Sequence, residues 1–125
     1  MLDTGLAATL GLRFDTASAD EVVISWTADE RHLQPFGLVH GGVYCAVHET
    51  VASVGGSLWY AERGEVVGVN NTTDFLRAAR AGDVLTSTGR PVHRGRLQQL
   101  WAMETYDAQN RLVARGQVRL QNLPA

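Results

Sequence analysis

The stretch GGVYCAVHETVASVGGSLWYAE, Gly41 to Glu62, decides how the rest of the chain is read. Val43, Val47, Val51, Val54 and Leu58 recur at three- and four-residue spacing with small residues between them, the pattern of one long helix carrying an apolar stripe. Gly55 and Gly56 weaken helix propensity in its last third. Such a stripe needs a surface to cover it, and the flanking sequence supplies strands. Upstream, Leu2, Leu6 and Leu10 stand at helical spacing before Gly11, which predicts a short helix over 2–10 with a glycine stop. LRFDTAS and EVVISWTA are β-prone runs separated by polar residues, which predicts an antiparallel hairpin. DERHLQPFG loses periodicity and holds Pro35 and Gly37, so it reads as a loop with a helical turn at its start.

Beyond the long helix come four more β-prone segments: VVGVNNTTDFLRA, DVLTSTGRPVHR, LQQLWAMETYD and LVARGQVRLQN. The turns RAG, RGR and AQNR between them predict antiparallel pairing of consecutive strands. Alternation places Asn70 and Asp74 on one face of the first segment and Asn71 on the other. No Glu or His completes a ligand set there, so it reads as a central strand whose polar group is met by the helix or by a partner. Trp101 and Met103 read as sheet packing. The order helix, hairpin, long helix, four strands is α+β: a long central helix lying on one face of a curved antiparallel β-sheet of about six strands. Residues 1–125 form a single domain on this reading, without repeat or linker.

Composition narrows the function. Eleven basic residues stand against 13 acidic ones, and no long basic run offers the counterion-release footprint of a nucleic-acid binder. Nucleic acid is therefore not an expected partner. The basic residues are all arginine, and those between Arg77 and Arg96 could form a local anion site. The one cysteine, Cys45, rules out an intrachain disulfide and reads as a small core residue. The opening MLDTGLAATLGLRF lacks a basic n-region, and no window offers ~20 uninterrupted apolar residues. A cytoplasmic protein with no membrane partner is the expectation.

The chemistry is concentrated around the start of the long helix. Gly41 and Gly42 fall where loop becomes helix, so the backbone can approach a ligand closely while first-turn N–H groups remain unpaired. That is a site for an anion or a polarised carbonyl oxygen. Glu49 interrupts an otherwise apolar run, as general bases and nucleophiles in enclosed sites do. Ser53, one turn on, lies on the same face and could hold a water beside the carboxylate. His48 points about 100° away and reads as a neighbour only. Gly41 and Glu49 lie ~12 Å apart along one helix, whereas an oxyanion donor and a nucleophile must both come within ~3 Å of one reacting centre. If both serve one reaction, the carboxylate must meet the glycine turn of a second copy, at a homodimer interface.

The stretch QPFGLVHGGV with Glu49 beyond it, followed by VVGVNNTTDFLR, HRGRLQQLW and VARGQVRLQN, closely resembles the hotdog-fold acyl-CoA thioesterases. The similarity is to the branch that includes 4-hydroxybenzoyl-CoA and 1,4-dihydroxy-2-naphthoyl-CoA thioesterases and their phenylacetate-pathway relatives, and runs from about Gln34 to Asn122. The resemblance implies a long helix wrapped by an antiparallel sheet and hydrolysis of an aromatic or related acyl-CoA to free acid and coenzyme A. It implies Glu49 as nucleophile or general base and the Gly41 backbone N–H as carbonyl polariser. It further implies Gln34 near the thioester assisting departure of the thiol, His40 near the same group, and Ser53 orienting water. Many relatives carry aspartate in place of this glutamate or a turn away, which leaves covalent and water-mediated routes both open. No metal or cofactor is implied, since coenzyme A is part of the substrate.

For the coenzyme A arm, the turn His93, Arg94, Gly95 and Arg96, together with Arg77 and Gly42, supplies guanidinium forks and backbone approach suited to phosphates. The partner set is thus an acyl-CoA and further copies of the chain, as a dimer or a tetramer. The alternatives are a broad medium-chain thioesterase, a non-catalytic acyl-CoA-binding protein, and a hotdog dehydratase, whose usual Asp/His pair is not evident.

Overall fold

The computed structural model describes Leu2 and residues 4–125. A short helix α1, Gly5–Thr9, leads into β1, Arg13–Ala17, and β2, Val22–Thr27. The helix predicted over 2–10 is confined to this single turn and a half, and residues 1 and 3 lie outside the described part. Gly11 ends it with φ +68°, a conformation that favours glycine. A 3-10 turn, Glu30–His32, opens the following loop. It is held by a reciprocal cap in which the Asp29 carboxylate accepts from the Arg31 N–H and His32 Nδ1 accepts from the Asp29 N–H. Then come α2, Gly41–Tyr60, and four long strands: β3, Gly64–Phe75; β4, Val84–Arg94; β5, Gln98–Asp107; β6, Leu112–Pro124.

The six strands form one antiparallel sheet in the order β1-β2-β4-β5-β6-β3. This is the hotdog fold, with α2 as the filling. Two expectations fail. Consecutive pairing holds for β4 with β5 and β5 with β6, but β3 and β4 are not neighbours; β4 pairs instead with β2. The segment after Phe75 is a crossover rather than a tight hairpin turn. VVGVNNTTDF is therefore an edge strand paired only with β6, not a central one. Local turn residues cannot report which strands meet, because that is settled by how the sheet closes over the helix.

The core lies between α2 and the concave face of the sheet. Val47, Val51 and Ala52 are fully buried against Trp101, Met103, Val118 and Leu120; each fully buried valine or leucine contributes roughly 1.5–3 kcal/mol. Toward the end of the helix the predicted stripe drifts outward, with Val54 half-buried and Leu58 exposed. Gly55 and Gly56 take over the buried face: a Cβ at Gly55 would overlap the Trp101 ring, and one at Gly56 would overlap Leu120. Those glycines cost helix propensity but let the helix settle onto the sheet where its bulkiest side chain stands. Trp101 cannot swing away, because its indole N–H donates to Gln99 Oε1 at 2.9 Å. The Gln99 amide in turn donates to Asn122 Oδ1 at 2.9 Å. Cys45 is half-buried rather than a core residue.

Candidate active site

The loop before α2 folds back on itself through Gln34. Its backbone N–H donates to Leu38 O at 2.8 Å, and its side-chain Oε1 accepts from the Phe36 and Leu38 N–H groups. With the oxygen so engaged, the Gln34 NH2 is the end left to donate. The loop delivers His40 as the N-cap of α2, where Nδ1 accepts from the Gly42 N–H at 2.8 Å. A neutral imidazole accepting at Nδ1 carries its proton on Nε2, so His40 presents an N–H outward. The Val43 N–H is taken by His40 O. The Gly41 N–H has no acceptor among the described residues. It is the free donor of the first turn, at the positive end of a 20-residue helix.

Gly41 also leaves room for an aromatic neighbour. The Phe75 ring lies across it, and a Cβ there would come within 2.7 Å of the ring. Gln34, Gly41, Tyr44, Phe75 and Arg77 share a cavity of about 330 Å³. Burial pushes the Tyr44 hydroxyl up to about 12, so it remains protonated, and it has no hydrogen-bond partner among the described residues.

Glu49 lies two turns into α2 and faces β3. Its Oε1 accepts from Asn71 Nδ2 at 3.2 Å, and its Oε2 rests against Gly68, where a Cβ would overlap it. The strand bulges between Gly68 and Asn70 at this place. On the open side, Glu49 lines a cavity of about 320 Å³ with Ser53, Val54 and Phe14. Leu2, Ser53 and Val54 also line a neighbouring cavity of about 450 Å³ that reaches Ser57 and Leu58. The two form a groove along α2, with a carboxylate at one end and apolar walls beyond it. Ser53 is therefore placed beside Glu49, as its spacing predicts. His48 turns the other way: it is fully buried, Nε2 meets Thr105 Oγ1 at 2.9 Å, and burial pushes its pKa down to about 4.

The predicted residues thus fall into separate groups within one chain. Gln34 and Gly41 share one cavity, His40 and Gly42 line a second beside the helix start, and Glu49 and Ser53 face the groove. The arginines divide as well, which corrects the expectation of a single cluster. Arg77 stands by the N-terminus of α2, whereas Arg94 lies at its far end, 5.4 Å from the Trp59 ring and bonded to Ala19 O and Asp20. The turn at Gly95 is closed by its N–H to Gln98 O and held by Asn122, whose Nδ2 donates to the Gly95 and Arg96 carbonyls. His93 and Arg96 are exposed there. Gly68, Asn71 and Phe75 were not singled out by sequence reasoning as site residues. A glycine inside a strand pattern was the available signal for Gly68, since it marks a bulge or a close approach.

Residues 36–114 match the Thioesterase superfamily. The chain belongs to that family. Its relatives include S. sahachiroi AziG, whose crystal structure superposes with a TM-score of 0.95 at 51% identity, covering 98% of each chain. The 1,4-dihydroxy-2-naphthoyl-CoA hydrolase of Escherichia coli is 33% identical over 90% of this chain and 82% of its own length. The proofreading thioesterase EntH of Cronobacter turicensis is 35% identical over 85% of this chain and 77% of its own. This thioesterase superfamily member is accordingly an enzyme, a thioester hydrolase. Among the described residues no helix is long and apolar enough to cross a membrane, and no three His, Cys, Asp or Glu side chains gather to hold a metal ion.

Proposed function

We propose that the protein hydrolyses the thioester of an aromatic or related acyl-CoA to the free acid and coenzyme A, at sites shared between two copies of the chain. One observation carries the reading: the unpartnered Gly41 N–H and the Glu49 carboxylate lie on one helix, ~12 Å apart, facing different cavities. A thioester carbonyl accepting from Gly41 of one subunit is attacked with the help of Glu49 from the other. Glu49 either adds to the carbonyl carbon itself or removes a proton from a water held by Ser53. The C–S bond breaks, the thiolate leaves with coenzyme A and takes up a proton, and water supplies the acid oxygen. On this reading the Gln34 NH2 and the His40 Nε2–H act as donors to the carbonyl and sulfur.

The dimer is formed through β3. This strand is 12 residues long and unpaired on its outer edge, and it exposes Val67, Val69 and Phe75, with Leu76 just beyond it. An edge of that length and hydrophobicity favours pairing with another copy. The acyl group lies in the groove beyond Glu49, and the name of the E. coli relative supports an aromatic one. Coenzyme A phosphates are met by Arg77 from one end of the site and by the exposed His93 and Arg96 from the other, whereas the Gly42 and Gly95 N–H groups and the Arg94 guanidinium already have partners within the chain. A cytoplasmic location, and a tetramer built from two such dimers, complete the proposal.

The test is a panel of aromatic and medium-chain acyl-CoAs with a thiol-trapping dye. Turnover should be highest for an aryl thioester and fall by roughly 10²–10⁴ in Glu49→Gln. Turnover unaffected by that change, or binding without hydrolysis, would reject it.

A further inference from the structure

Asn71 lies on β3 facing α2, half-buried, directly beside the reactive carboxylate of the reading above. Every hydrogen-bonding group of its amide is used. Nδ2 donates to Cys45 O at 2.9 Å and to Glu49 Oε1 at 3.2 Å, while Oδ1 accepts from Thr73 Oγ1 at 2.8 Å. The reversed amide would set an oxygen against two oxygens, so these partners determine its orientation. One N–H grips the α2 backbone a turn before Glu49 and the other grips Glu49 itself. The carboxylate is thereby tied to the helix turn that carries it.

Gly68 completes the arrangement by giving Oε2 room against the strand. Glutamate otherwise has three rotatable bonds, whose rotamer freedom is lost when it is ordered. We propose that Asn71, braced by Thr73, is a positioning residue that holds Glu49 by Oε1 and leaves Oε2 as the oxygen that reacts. The inference rests on Glu49 being the reactive carboxylate. It adds that the carboxylate is oriented from within its own subunit, before any partner or substrate arrives.

The experiment compares Asn71→Leu, Thr73→Val, Thr73→Ser and the Asn71→Leu/Thr73→Val double variant. A misplacement of about 1 Å can cost about 100-fold in rate. Asn71→Leu is therefore expected to lower kcat about 10- to 100-fold with KM within about twofold. Thr73→Val should lower kcat less, Thr73→Ser should restore it, and the double variant should be no slower than Asn71→Leu, because Thr73 acts only through Asn71. A lower melting temperature with kcat unchanged, or a Thr73 effect that persists in the Asn71→Leu background, overturns the proposal. A crystal structure of Asn71→Leu tests it without any substrate: Glu49 should leave the Gly68 position, and a carboxylate still seated there overturns it. Wild-type turnover by Glu49→Gln would instead overturn the catalytic reading, and is told apart because the crystallographic displacement does not depend on activity.

Discussion

The Glu49 carboxylate occupies the space where Gly68 would carry a side chain. The long helix α2 and the edge strand β3 therefore touch at a point that admits no other residue without movement. Substituting Gly68→Ala should push Glu49 out of place while leaving the core untouched, since Gly68 is exposed on the edge strand. Steady-state kinetics should show kcat reduced by about 10- to 100-fold, with a melting temperature close to that of the parent. A variant with unchanged kcat would show that the carboxylate works equally well elsewhere.

The proposed division of the site between two subunits predicts complementation. Gln34 and Gly41 face one cavity and Glu49 another, so Gln34→Ala and Glu49→Ala chains carry lesions in different halves. After subunit exchange, half of the dimers are mixed, and each holds one intact site and one with both lesions. About a quarter of wild-type activity should return. Verified mixed dimers without activity would place both halves in the same subunit.

Gly55 is expected to be sensitive although it is helical. An alanine methyl would overlap the Trp101 ring, which is fully buried and tethered through its indole N–H to Gln99. Overpacking costs about 1–3 kcal/mol, against a gain of at most about 1 kcal/mol in helix propensity. Gly55→Ala should lower stability in urea unfolding, whereas Ser57→Ala, exposed on the same helix, should be nearly neutral.

His48 gives a pH dependence to stability. Burial holds the ring neutral and pushes its pKa from 6.5 down to about 4. Between those values the unfolded chain binds a proton that the folded chain does not, so stability is full above about pH 6.5 and falls as pH drops toward 4. The loss by pH 5 is on the order of 2 kcal/mol. Urea unfolding at fixed protein concentration should show it, and His48→Gln should flatten the curve between pH 7 and 5 even if it lowers stability throughout. An equal slope in the variant would assign the effect to other groups.

Much of this was legible in the chain because it is local. The apolar stripe of α2, the hairpin β1–β2 and the alternation of β4 to β6 are written in the spacing of neighbouring residues. The glycine pair at the helix start and the isolated Glu49 stood out because each conflicts with its surroundings. The separation of Gly41 from Glu49 was legible too, since the rise of a helix sets it whatever surrounds them.

Tertiary structure decided what depends on elements remote in sequence. That β3 is an edge strand beside β6, and not a partner of β4, follows from how the sheet closes around α2. No turn motif between β3 and β4 encodes that closure. The edge placement brings Gly68 and Asn71 to Glu49 and Phe75 to Gly41. It also sends Arg77 and Arg94 to opposite ends of the helix. Sequence by itself determined that a carboxylate and a backbone donor stand on one helix. The fold decided which neighbours aim them, because packing distance between segments is set by the closed sheet and not by their separation along the chain.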